Sequence, residues 1–252
     1  MDDISIIGEL PNLEELQLSD TLVTDFEGLR GHPALRDLRA DGVKVSDLSP
    51  LASLPKLEEL LMTSREVSDL TPLAKIDTLQ SAYSMPSSIA DISPLAGLPN
   101  LTTVYIWSAE LGDLSPIASA AAVEDLTLTS NALDDISVLD GMTSLKRISV
   151  AGTGLKSVPE TLSLPALEVA ILDHTALDNI DFVKNSPKLH TLYIAHTKIN
   201  DLAPVMDHDA MKGEVMAVLN ISENVSPQLT AQAEQLEAQG VYVTVEGEYR
   251  PR

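Results

Sequence analysis

Aliphatic residues recur every 22 positions along this chain, nine times without a slip: Leu13, Leu35, Leu57, Leu79, Leu101, Val123, Leu145, Leu167 and Leu189. Counting each as position one, position four holds Leu16, Leu38, Leu60, Ala82, Val104, Leu126, Ile148, Ala170 and Leu192. Position six holds Leu18, Ala40, Met62, Ser84, Ile106, Leu128, Val150, Leu172 and Ile194. The pattern is L-x-x-L-x-L with polar residues between. The step of two from position four to position six is strand alternation, so each repeat opens with a short strand turning these side chains inward. A strict period of this length means stacked coils that touch only their neighbours, with the strands forming one parallel sheet.

The second half of the repeat is as regular. Val23, Val45, Val67, Ile89, Leu111, Leu133, Leu155, Leu177 and Ile199 stand two residues before a column of Asp25, Asp47, Asp69, Asp91, Asp113, Asp135 and Asp201, broken only by Ser157 and Asn179. Leu-Ser-Pro-Leu-Ala or a variant follows, as at Leu48 to Ala52 and Leu114 to Ala118. Asp ahead of Ser-Pro predicts a short helical turn on the return side. Its carboxylate caps free N–H groups, and Pro is accepted in the first turn because its missing N–H had no partner there. A carboxylate at one register in seven coils is a structural cap rather than a catalytic group.

These repeats resemble those of leucine-rich repeat proteins, and the Asp-Leu-Ser-Pro-Leu return resembles the bacterial internalin and phosphatase-regulator subclass. The resemblance covers residues 3–245. It implies an α/β solenoid: a leucine-rich repeat horseshoe with a parallel β-sheet on the concave face, short helical turns on the convex side and a C-terminal helix-strand cap. Position nine departs from the family, whose usual Asn survives in the regular array only as Asn131, with Thr21, Thr153, Thr175 and Thr197 as shorter substitutes. Val43, Arg65, Ser87 and Ala109 fill the rest, so repeats two to five must satisfy the turn after the strand in another way.

The chain enters in mid-repeat. Asp3-Ile4-Ser5 and Leu10-Pro11-Asn12 align with the return half, and no strand precedes them. The expectation is a chain cut from a longer protein, the alternative being a tolerated short first coil. At the other end Met216, Leu219, Ile221 and Asn224 rebuild the pattern, displaced by an insertion around Asp207 to Lys212. Ser226-Pro227 suit an N-cap and first helical position. Leu229, Ala233 and Leu236 share one helical face, Gly240 ends the helix, and Val241, Val243 and Val245 alternate as a closing strand. The expected organisation is one domain over residues 1–252: a partial first repeat over 1–12, nine repeats over 13–210 and a cap over 211–252.

The net charge of −22 arises from 38 acidic and 16 basic side chains. Setting aside Asp3 and the seven capping Asp leaves 30 acids against the same 16 bases, so the surplus is surface charge. It opposes nucleic acid and anionic membrane as partners, because phosphate binding depends on Lys and Arg. There is no cysteine, hence no disulfide and no thiol chemistry. No signal peptide and no run of about 18 apolar residues is present. Asn-x-Ser/Thr triplets stand at Asn100, Asn220 and Asn224.

Enzyme signatures are absent: there is no G-x-x-x-x-G-K-[ST], G-x-S-x-G or H-E-x-x-H. Ser53-Leu54-Pro55-Lys56 matches S-x-x-K formally but falls in the turn between repeats two and three. His174 and His196 occupy position eight of consecutive repeats, about 5 Å apart at Cα. With Asp173 and His190 they are a candidate set for Zn²⁺ or Ni²⁺. Asp173 belongs to the strand face while His174 is already in the turn, so the expectation is two solvated rim histidines, no metal and no cofactor.

Positions five and seven point outward from the sheet. The single Trp and three of the five Tyr fall in these two columns. Leu61, Tyr83, Met85, Tyr105 and Trp107 make a contiguous candidate patch of hot-spot composition, and Tyr193 continues the column. Position three adds Glu15, Asp37, Glu59 and Asp125, so an acidic N-terminal part adjoins an aromatic centre. The expected function is a non-enzymatic, monomeric protein–protein recognition module that binds a partner on its concave face. The internalin resemblance implies adhesion or a host or cell-surface interaction by a secreted or surface protein. The phosphatase-regulator resemblance implies instead a cytoplasmic regulatory or scaffold subunit of an enzyme.

Overall fold

A computed structural model describes residues 3–85, 89–107, 110–129, 132–212, 217–222 and 225–245. Eleven parallel strands follow one another in chain order among these residues. The chain divides into two compact units, Met1–Thr127 and Leu128–Arg252.

The first unit carries β1 (Glu15–Gln17), β2 (Asp37–Asp41), β3 (Glu59–Thr63), β4 (Ser81–Met85), β5 (Thr103–Ile106) and β6 (Asp125–Thr127). Their register follows the repeat: Leu16 lies opposite Leu38, Leu38 opposite Leu60, Leu60 opposite Ala82, and Val104 opposite Leu126. Each position-two carbonyl accepts two N–H groups of the next coil, as Arg36 O does from Glu58 and Glu59 at 2.8 and 2.9 Å. Inward residues such as Leu38, Leu60, Val104, Ile106 and Leu126 are fully buried. The first coil is the exception: Leu13 and Leu16 are only half-buried and Leu10 is exposed. Among the described residues no strand lies on the outer side of β1 to cover them.

The second unit carries β7 (Arg147–Ser149), β8 (Val169–Ile171), β9 (Thr191–Tyr193), β10 (Val218–Ile221) and β11 (Tyr242–Val245). Ile148, Ala170, Leu192, Leu219 and Val243 are successive partners across it. The expected C-terminal cap is present as a helix spanning Pro227–Ala238 and the strand β11. Ser226 Oγ accepts the Leu229 N–H at 3.2 Å, and Leu229, Ala233 and Leu236 are buried. Gly240 ends the helix at φ 96°, a left-handed conformation that a glycine adopts without Cβ strain. Met216 and Asn224 lie outside the described residues.

The return turns are short. Among the described residues seven are 3₁₀ turns, such as Ser49–Ser53 and Thr71–Lys75, and three are single four-residue α-turns, such as Ser93–Ala96. The Asp column acts one residue earlier than an N-cap: Asp3, Asp25, Asp47, Asp69, Asp91, Asp113, Asp135 and Asp201 each accept the backbone N–H two residues on, at 2.7–3.0 Å. This Asx-turn orients the chain into the turn and satisfies its first donor.

Position eight supplies the left-handed residue that ends the strand in both units: Asp20, Gly42, Gly152, His174 and His196 all have φ between 55° and 72°. Asp, His and Gly accept this conformation more readily than other residues. Position nine then resolves the missing Asn. The hydroxyls of Thr21, Thr153, Thr175 and Thr197 donate to the position-six carbonyl of their own coil at 2.6–2.8 Å. Repeats two and three use another device. There β2 and β3 run to five residues, the Gly42 N–H reaches Thr63 O at 3.0 Å, and Ser64 Oγ donates to Val45 O at 2.7 Å. Ser87, Ala109 and Asn131 lie outside the described residues.

Candidate partner-binding face

All but one of the residues expected to bind a partner sit in the first unit, on or just after the strands β1 to β5. In β4 and β5, Tyr83 and Tyr105 are neighbours in the outward position-five column. Their ring centroids are 5.4 Å apart and tilted by 50°, an edge-biased aromatic pair. Both rings are half-buried, as is Leu61 on β3. Trp107 follows the end of β5 and is 64% exposed, the chain's largest apolar side chain left in solvent. The 22-residue period alone would place Met85 opposite it across the sheet. The register slips between Ala82 and Met85, so that Met85 stands opposite Ile106 instead. The Met85 side chain is outside the described atoms.

Position three forms a ladder. Glu15 lies opposite Asp37 and Asp37 opposite Glu59 on adjacent strands. Like charges side by side on a sheet repel, and one cation offsets them. Arg39 donates from Nε and Nη2 to Asp37 Oδ2 at 3.1 and 3.0 Å. That hydrogen bond first, then the charges of Asp37, Glu59 and Glu15, hold the guanidinium proton more tightly than usual. Arg36 meanwhile bonds Glu58 and stands 4.0 Å from Glu14. Asp37, Arg39, Glu59, Leu61 and Tyr83 together line a shallow cleft. Four of these five were expected on the face. Arg39 was not singled out, though a cation two residues from an acidic column on the same strand face is the signal for it.

Tyr193 lies in the second unit, half-buried on β9 between Ile171 and Asn220. The outward columns there are not uniformly exposed, since Ser149 and Ala195 are buried. His174 and His196 stack face to face, with ring centroids 4.2 Å apart at 21°. Asp173 Oδ1 accepts the Ala195 N–H at 2.7 Å, and His190 Nδ1 lies 3.0 Å from Thr191 Oγ1. Among the described residues no three metal-ligating side chains converge.

Two further histidines lie in the interior. His32 and His208 both stand at position twenty and are buried. Their Nε2 atoms lie 3.0 Å from Leu10 O and Ser186 O, each 22 residues back. His32 Nδ1 also receives the Leu35 N–H at 3.2 Å, so its proton sits on Nε2. Leu54, Ile76 and Leu98 at the same register mark the column as core. The stretch Asp207-His208-Asp209, whose composition alone reads as a polar loop rather than a ligand set, thus places its histidine in the interior.

Compared with solved structures, the chain matches an internalin (inlF) from Listeria monocytogenes with a TM-score of 0.81 at 22% identity, covering 99% of this chain and 72% of that one. The fold is a leucine-rich repeat solenoid of the internalin type. A leucine-rich repeat protein of Leptospira interrogans matches with a TM-score of 0.65 at 18% identity, over 91% of this chain and 66% of that one. A Listeria monocytogenes internalin C2 matches with a TM-score of 0.54 at 22% identity, over 81% and 80%. At these identities the likeness is one of fold. No protein-family model and no curated protein sequence matches the chain.

Proposed function

We propose that this leucine-rich repeat chain is a non-enzymatic recognition module that binds a protein partner on the outward sheet face of its first unit. The observation that carries the reading is the juxtaposition of an exposed Trp107 with the packed Tyr83–Tyr105 pair on a sheet braced from behind by a continuous core. Rigid aromatics give a large contact area at small entropic cost, which is why they dominate interface energetics. Parallel strands each fixed by the coil behind them need little reordering when a partner docks. A secreted or cell-surface setting agrees with the fold likeness to internalins, and adhesion is the role it suggests. Among the described residues no helix is long and apolar enough to cross a membrane.

Trp107→Ala opens no core, so the variant should melt as the parent does while losing about 2 kcal/mol or more of partner affinity. Tyr83→Ala should weaken binding in the same way. Lys75→Ala, on the return turn, should leave it unchanged. Affinity measurements on an isolated partner with these three variants decide the matter. Equal affinity of the parent and Trp107→Ala would move the site elsewhere.

A further inference from the structure

The cleft beside the aromatic pair specifies what part of a partner it suits. Three carboxylates, Glu15, Asp37 and Glu59, project from adjacent strands in one column, and a single guanidinium stands among them. The Asp37 carboxylate accepts from Arg39 through both of its oxygens. Among the described residues Glu15 and Glu59 make no ion pair and remain exposed. The free protein therefore holds two excess negative charges at the rim of a cleft whose other wall is Leu61 and the ring of Tyr83. An aliphatic and aromatic wall beside an unneutralised carboxylate is complementary to a long cationic side chain, which lays its stem on apolar surface and keeps its charge at the edge. A guanidinium also stacks on an aromatic ring and bonds a carboxylate through its planar fork.

We infer that this cleft receives an arginine side chain from a basic segment of the partner polypeptide, with its guanidinium against Glu59 and its stem over Leu61 and Tyr83. The inference rests on the recognition reading above and deepens it: the partner contributes a cation beside the apolar group that meets Trp107. Arg39 on Asp37 shows that the ladder accepts a guanidinium bidentately. The incoming arginine relieves the like-charge repulsion that Arg39 alone leaves standing. A second copy of this chain is disfavoured as occupant, because the same acidic ladder would face it.

The test is a selection of random twelve-residue peptides displayed on phage against the parent protein at low salt, followed by affinities of the enriched peptides. Enriched sequences should carry arginine next to an apolar residue. Glu15→Gln with Glu59→Gln should weaken them roughly ten-fold and flatten their salt dependence. The same double variant should melt at or above the parent temperature, since it removes repulsion rather than support. Replacing the peptide arginine by uncharged citrulline should reproduce the loss. Enrichment of acidic or uncharged sequences, or of none, overturns the inference. If neutral apolar peptides emerge that Trp107→Ala abolishes, the recognition face stands and the arginine subsite falls. Arginine peptides that bind Trp107→Ala and Tyr83→Ala as tightly as the parent would overturn both.

Discussion

At the scale of single residues, two positions show how closely the coils approach. A Cβ on Gly28 would lie 2.4 Å from Ile4 O, a backbone atom with no freedom to swing away. Gly28→Ala should therefore lower the melting temperature clearly, whereas Gly112→Ala, with open space around it, should not. Calorimetry on the two variants separates a packing cause from a loss of glycine flexibility, because flexibility alone would affect both alike. The Asp column makes a second prediction, in pH. The hydroxyl and N–H of Thr71 bond the charged form of Asp69 and hold its carboxyl below the usual value of 3.8. Bonds to Ser49 and Ser115 do the same for Asp47 and Asp113. A depressed folded value means that this stabilisation is complete above the unfolded value and is lost as pH falls through the folded one. Asp69→Ala should thus melt below the parent at pH 7, and the gap should narrow as pH falls below the usual carboxylate value of 3.8 and through the depressed folded value. A gap that persists undiminished in acid would assign the Asp a role other than that of a charged acceptor.

At the scale of elements, the sequence conveyed most of the structure because the period fixes which side chains meet. Ser226-Pro227, Leu229, Ala233, Leu236 and Gly240 spelled out the cap helix, and the structure follows them. What escaped was backbone register that no core residue enforces. The slip between β4 and β5 falls between Ala82 and Met85, a stretch that holds Ser84, the one polar member of the position-six column, so the sequence offers no aliphatic residue there to pin the strand to its neighbour. The break in the Asp column at Ser157 has a readable cause as well. In every repeat that keeps Asp, the residue two further on has an N–H to donate; after Ser157 that residue is Pro159, which has none. No helical turn forms between β7 and β8. Ser157→Asp alone should therefore leave the melting temperature unchanged, while Ser157→Asp with Pro159→Ser should raise it. A gain from the single substitution would mean that the carboxylate finds another donor.

At the scale of the whole molecule, the candidate face was legible only as a composition. The columns named Leu61, Tyr83 and Trp107, but the pairing of Arg39 with Asp37 depends on side-chain geometry that a period does not carry. Stability and recognition are also separable here. In a stack of repeats, stability is a sum of coil and neighbour terms, so removing one whole period leaves every remaining interface of the same kind. Deleting residues 57–78 joins Lys56 to Leu79 in unbroken phase and keeps Tyr83, Tyr105 and Trp107, while it removes Glu59 and Leu61. The shortened protein should fold, with a cooperative melt and the strand signal of one coil fewer. It should still contact a partner through the aromatics but lose its preference for a basic segment. Deleting only residues 57–67 removes half a period and brings return-turn residues against strand positions, burying Asp side chains without partners at a cost of several kcal/mol. That variant should not fold. Circular dichroism and melting of the two deletions decide the point, and a half-period deletion as stable as the full one would refute the claim that a strict repeat register holds this chain together.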